Sequence, residues 1–124
     1  MGFFNIIFSG NSASENEDRF WKDLTSEQDL QTAIDESFSG KVVIFKHSTR
    51  CFISKTVLRN FEKEVRNSDK NISYYFLDLL EHRDLSNAIA DDFGVEHQSP
   101  QLIVLENGKA TKNASHQHIT LNII

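Results

Sequence analysis

Cys51 is the only cysteine in the 124-residue chain, and it lies in Lys46-His47-Ser48-Thr49-Arg50-Cys51-Phe52-Ile53-Ser54, between an apolar strand-like run and an amphipathic helix-like one. A sulfur at the first turn of a helix meets unpaired backbone N–H groups and the positive end of the helix dipole, and both favour the thiolate. The thiolate is the nucleophilic form of cysteine, so the placement points to sulfur chemistry. The competing reading is a buried cysteine used as a small hydrophobe; the polar residues that precede Cys51 weigh against it. Arg50, Lys46 and His47 are basic groups close in sequence that would support the anion, although alternation along a strand sends neighbouring side chains to opposite faces. Ser54 follows three residues later on the same side of a helix, where its hydroxyl reaches either the sulfur or the orphan backbone groups of the first turn.

One cysteine makes no internal disulfide, and no Cys and His residues have the spacing of a structural zinc site. The expected setting is therefore a reducing one, the cytoplasm, with neither a metal nor a tightly bound cofactor. A net charge of -5 argues against attraction to phosphate backbones, so no nucleic-acid partner is expected. With 39% apolar residues, 25% charged ones and ten phenylalanines, the composition is that of a folded chain, and the length fits one domain. The stretch Met1-Gly2-Phe3-Phe4-Asn5-Ile6-Ile7-Phe8 is apolar but lacks basic residues and meets Gly10 and Asn11 too early for a membrane span or an ordinary signal. It reads as a flexible start, a small anchor or a weak oligomer or partner contact. Residues 1–19 are thus an apolar segment and polar linker, and residues 20–124 the domain.

Phe20 to Leu24 reads as a short edge strand, and Thr25 with Gln28 has capping-box spacing for a helix carrying Leu30, Ala33, Ile34 and Phe38 on one side as far as Gly40. Val42-Val43-Ile44-Phe45 is a continuous apolar run, the pattern of a central strand covered on both faces. The period then changes: Ile53, Val57, Leu58, Phe61 and Val65 mark the apolar face of the helix after Cys51. Tyr74 to Leu80 returns to a strand pattern, with Asp78 a polar interruption placed near its open end. Asp84 is the expected cap of a helix bearing Leu85, Ala88, Ile89 and Phe93, which Gly94 ends. Gln101 to Leu105 and Lys109 to Lys112 flank Asn107-Gly108, a strong hairpin signal. Beyond His116, Ile119 and Ile123 share a helical face in a segment short for an independent helix.

This order predicts an α/β fold, a mixed sheet covered by helices, with function at the C-terminal ends of its parallel strands. Cys51 is placed there. The sole proline, Pro100, follows Ser99 directly before a strand, as an ordinary strand-start proline or as part of a turn near the cysteine.

Thr49-Arg50-Cys51-Phe52-Ile53-Ser54 resembles the monothiol bacilliredoxin family of the thioredoxin superfamily. The resemblance extends to Trp21-Lys22-Asp23-Leu24-Thr25, Val42 through Ser54, Ser99-Pro100-Gln101, and Gly108 followed by Ala114-Ser115-His116, roughly residues 20 to 120. It implies a thioredoxin-like fold, a cis Ser99-Pro100 bond facing Cys51, and reversible mixed-disulfide chemistry with bacillithiol or a related low-molecular-weight thiol as co-substrate. Members commonly have proline directly after the active cysteine, where this chain has Phe52; the fixed φ of proline in the first helical turn is lost and an apolar rim is gained.

On this resemblance Cys51 is the attacking and disulfide-bearing residue of a monothiol–disulfide oxidoreductase, acting on thiolated client proteins and restored by a small thiol or a reductase, a chemistry associated with stress response. Ser54 stands where a dithiol protein has its resolving cysteine. Arg50 and Ser54 are auxiliary; Phe52, Ser99 and Pro100 form the client surface; Lys46, His47 and His116 are further auxiliary candidates. Two other classes remain open. One is a redox-inactive binding module that presents Phe3, Phe4 and Phe8, and the other is a thiol-dependent peroxidase in which Cys51 passes through sulfenic acid.

Overall fold

The computed structural model describes residues 20–68 and 71–124. The elements run β1 (Trp21–Asp23), α1 (Glu27–Glu36), β2 (Val42–His47), α2 (Phe52–Arg66), β3 (Ser73–Asp78), α3 (Arg83–Phe93), β4 (Gln101–Glu106) and β5 (Lys109–Ser115), followed by two 3-10 turns at His116–His118 and Leu121–Ile123. The apolar segment and linker predicted for residues 1–19 lie outside the described residues.

The five strands form one sheet in the order β1-β3-β2-β4-β5. β1 and β2 both run parallel to β3, whereas β4 is antiparallel to β2 and to β5. Parallel strands need crossovers, which α1 and α2 provide; the antiparallel pair needs only a tight turn. β2 is central and every residue in it is buried. The strand is longer than its apolar run: Lys46 and His47, expected to bound it, belong to it and are buried.

Alternation along β2 divides the core in two. Val42 and Ile44 face a cluster with Leu30 and Ala33 of α1 and Leu85 and Ile89 of α3. Val43 and Phe45 face the other side, with Val57, Phe61 and Val65 of α2 and Ile119 and Ile124 from the C-terminal segment. Trp21, on this second side, packs its ring among Phe20, Phe45, Tyr74 and Phe76, and its indole N–H donates to Glu62 at 2.7 Å.

Several boundaries fall differently from expectation. Ser26, not Thr25, caps α1, its hydroxyl accepting the Asp29 N–H at 3.1 Å while the Asp29 carboxylate takes the N–H and hydroxyl of Thr25. Hydrogen bonding to Thr25 holds that carboxyl below the usual range. Asp84 lies in the first turn of α3, whose cap position is His82; Gly94 ends the helix in the left-handed region at φ 64 as expected. Phe38 lies past the end of α1 and is 61% exposed. The final segment forms two 3-10 turns instead of an α-helix, since it is short and is held by packing of Ile119 and Ile124.

Candidate thiol site

The chain leaves β2 at His47, turns through Ser48, Thr49 and Arg50, and enters α2 at Cys51. The turn is closed by the Cys51 N–H, which donates to the Ser48 carbonyl at 3.2 Å. Cys51 is itself the N-cap: its backbone is extended (φ -103, ψ 120), its carbonyl accepts the Lys55 N–H, and its Sγ accepts the Ser54 N–H at 3.4 Å. Sulfur thus does here what a Ser or Asp oxygen commonly does for the orphan donors of a first turn. No acidic residue lies in that turn, which leaves the positive end of the helix dipole to the sulfur, while Lys63 and Arg66 in the last turn lie against its negative end. Cys51 is a free, partly exposed thiol.

Ser54 is fully buried, and its hydroxyl is engaged away from the sulfur. It accepts the Ser48 N–H at 3.2 Å and lies 2.8 Å from Nδ1 of His47. The contact between Ser54 and the sulfur is made by its backbone N–H, a difference from the hydroxyl bond that spacing alone permits. His47 is buried against the Phe45 and Phe76 rings. Burial holds its pKa below the ordinary value despite the carboxylates of Asp78 and Glu62, so the imidazole is favoured in its neutral form.

Lys46 points the other way, to the face covered by α1 and α3. Its Nζ donates to the Ser86 carbonyl at 3.1 Å and lies 3.4 Å from Nδ1 of His97. Desolvation lowers its pKa to about 8. It therefore does not join the thiol side of the sheet, because one step along a strand reverses the side chain. Arg50 is exposed in the turn beside Cys51.

Pro100 is reached through a cis bond from Ser99, as the resemblance implied. The register places Lys46 opposite Gln101, so Ser99 and Pro100 lie at the end of β4 next to the His47 and Ser48 end of β2, the same end of the sheet as Cys51. His116 takes a left-handed backbone (φ 54), and its N–H donates to the Pro100 carbonyl at 3.1 Å. His116 thus meets Pro100 through its backbone.

Phe52 is 80% exposed and Ile53 45% exposed, the latter off the buried stripe assigned to it. Both line a groove with Thr56, Val57, Asn60, Gln117 and Ile119 that begins one residue after Cys51. The polar members escaped the sequence reading; the available signal was two large apolar residues at the solvent end of an amphipathic helix. A larger depression, lined by Thr25 to Glu27 and Glu81 to Leu85, opens between the starts of α1 and α3 and contains none of the thiol residues. Among the described residues, no group of three or more His, Cys, Asp or Glu side chains is arranged to hold a metal ion, and no helix is long and apolar enough to cross a membrane.

A mixed sheet in this order, a cysteine capping the helix after the central strand, and a cis proline at the same end of the sheet define a member of the thioredoxin superfamily. Solved structures agree. One, described as a candidate oxidoreductase with a thioredoxin fold, is 31% identical and covers 83% of this chain and 88% of its own, with a TM-score of 0.73. Mitochondrial thioredoxin 3 from Saccharomyces cerevisiae (16% identity, 77% and 82% covered, TM-score 0.63) and the thioredoxin of Malassezia sympodialis (20% identity, 76% of each chain, TM-score 0.61) share the fold. Within the superfamily, residues 22–124 match the family of the monothiol bacilliredoxin BrxC, and the chain belongs to that family.

Proposed function

We propose that this protein is a monothiol–disulfide oxidoreductase in which Cys51 removes bacillithiol, or a related small thiol, from protein mixed disulfides. The observation that carries the reading is the Cys51 sulfur, free, partly exposed and capping α2, in a chain of a monothiol family. The Cys51 thiolate attacks the small-thiol sulfur of the client adduct. A disulfide forms between Cys51 and the small thiol, the client S–S bond breaks, and the client thiolate leaves to be protonated by solvent. A second small thiol, as its thiolate, attacks this adduct and releases Cys51 with a symmetrical small-thiol disulfide, which an external reductase recycles. Ser54 offers no sulfur for an internal route. Extended client backbone is bound along Ser99, in the segment that leads into β4, and Phe52 supplies an apolar wall. The proposed setting is the cytoplasm.

The test is incubation of reduced protein with a bacillithiolated client, followed by intact-mass measurement of both. Loss of the adduct from the client and its appearance on Cys51, abolished by Cys51→Ser, is the expected result. A client left unchanged, while a dithiol control strips the same adduct, rejects the assignment.

A further inference from the structure

The buried hydroxyl of Ser54 contacts two groups, and their chemistry limits what it can do. The Ser48 N–H only donates, so Oγ accepts there; His47 Nδ1 at 2.8 Å is close enough for a full hydrogen bond. With the neutral imidazole protonated on Nε2, Nδ1 accepts the Ser54 proton and the hydroxyl is satisfied on both sides. That tautomer is assigned from the network. Ser54 is also the third residue of α2, and its own N–H lies on the Cys51 sulfur at 3.4 Å. One residue is therefore clamped to β2 through its side chain while its backbone presents a donor to the sulfur.

We propose that His47 is a positioning residue for the thiol reaction: by holding the Ser54 hydroxyl it holds the Ser54 N–H on the Cys51 sulfur, and thereby keeps a hydrogen-bond donor on the sulfur anion that attacks. This rests on the exchange function proposed above. His47 acts through geometry, not as a cation beside the anion. It faces Ser54, Lys55 and Glu62 from α2, Asp78 and Phe76 from β3, and Phe45 from its own strand. The clamp also gives Ser54 a reason to be serine. An alanine there leaves the Ser48 N–H and the imidazole nitrogen without their partner inside the protein, and unpaired buried polar groups are costly.

The experiment compares full-length wild type, His47→Phe, His47→Asn, Ser54→Ala and the His47→Phe/Ser54→Ala double variant. Each is scored by the rate of Cys51 alkylation with iodoacetamide across pH, with circular dichroism and thermal melting confirming the fold. His47→Phe keeps a ring between Phe45 and Phe76 but removes Nδ1, whereas His47→Asn restores a polar atom near that position. The expected result is a loss of about threefold to tenfold in neutral-pH rate for His47→Phe and for Ser54→Ala, with the pH profile displaced to the alkaline side. Asn should recover much of the loss, and the double variant should be no slower than the slower single one. A folded His47→Phe protein with an unchanged profile, or losses that multiply in the double variant, overturns the proposal. Should His47→Phe not fold, Ser54→Ala and His47→Asn decide it: an unchanged Ser54→Ala profile rejects the clamp, whereas a slowed Ser54→Ala beside a near-normal His47→Asn upholds it. Any other pairing rejects it. Because alkylation needs no client, failure of dethiolation in wild type would remove the exchange function and leave this result readable by itself.

Discussion

At the residue scale, the site depends on a sulfur serving as a helix cap, and on the residue that follows it. Phe52 is the first residue of α2, a position where proline is well tolerated because its absent N–H is already an orphan and its φ is already helical. Phe52→Pro is therefore expected to stabilise the fold by about 0.4–1 kcal/mol, chiefly by restricting the unfolded chain. It also strips an 80% exposed aromatic ring from the lip of the groove beside Cys51. If that ring contacts clients, KM for a thiolated protein rises severalfold while kcat changes little. Thermal melts and steady-state dethiolation measure the two effects separately; an unchanged KM would show that Phe52 contributes no client contact. The place of the sulfur was legible because polar residues interrupt two apolar periodicities on either side of it. The direction of the Ser54 hydroxyl was not. A spacing of three admits a bond to the sulfur, and the choice is made by His47, whose membership of β2 is hidden because Lys46 and His47 look like the polar end of an apolar run.

At the element scale, local rules located nearly every helix and strand but erred where two neighbouring residues could fill one role. Thr25 and Ser26 are both cap formers, and the structure uses Ser26 as the cap and Thr25 as the partner of Asp29. The hairpin is better determined, since Asn107 (φ 54) and Gly108 (φ 78) both take positive φ, as a two-residue type I′ turn requires. Its tip is tied to the end of α1: the Asn107 and Gly108 N–H groups donate to the carbonyl and hydroxyl of Ser37, each at 2.8 Å. Phe38, expected in the core by periodicity, instead lays its ring over Gly108, where an added Cβ would stand 2.7 Å from it. Gly108→Ala should thus cost about 2 kcal/mol, combining left-handed strain with crowding. Denaturant melts of Gly108→Ala with and without Phe38→Ala check the division. Removing the ring should recover part of the loss, and strictly additive losses would assign it all to the backbone.

At the scale of the whole molecule, the two faces of the sheet carry separate tasks, and β2 connects them by alternation. Its His47 serves the thiol face, while Lys46 carries a charge inside the other face beside the Ser86 carbonyl and the His97 imidazole. His97 is itself held below its ordinary pKa by burial and by the nearby Lys46 and Arg83 charges, so it stays neutral and adds no second positive charge beside Lys46. A lysine brought from its ordinary 10.5 to about 8 by desolvation represents roughly 3 kcal/mol of stability withheld at neutral pH. The sign follows from proton counts. Below about pH 8 both states bind the proton and the folded state bears the full cost; between about 8 and 10.5 the unfolded state binds more protons, so stability rises with pH. Tyr75 acts in the opposite direction at the upper end. Burial and its hydrogen bond to Glu36 raise its pKa above the ordinary 10.0, so the unfolded state loses that proton first and stability falls as pH passes 10. The melting temperature is accordingly expected to climb from pH 8 and turn over near pH 10. Lys46→Met, which fills the same volume without the charge, should melt at or above wild type at pH 7 and show no climb. A wild-type melting temperature flat between pH 8 and 10, or a large destabilisation by Met at pH 7, would show that the Ser86 and His97 contacts fully offset the burial of the charge.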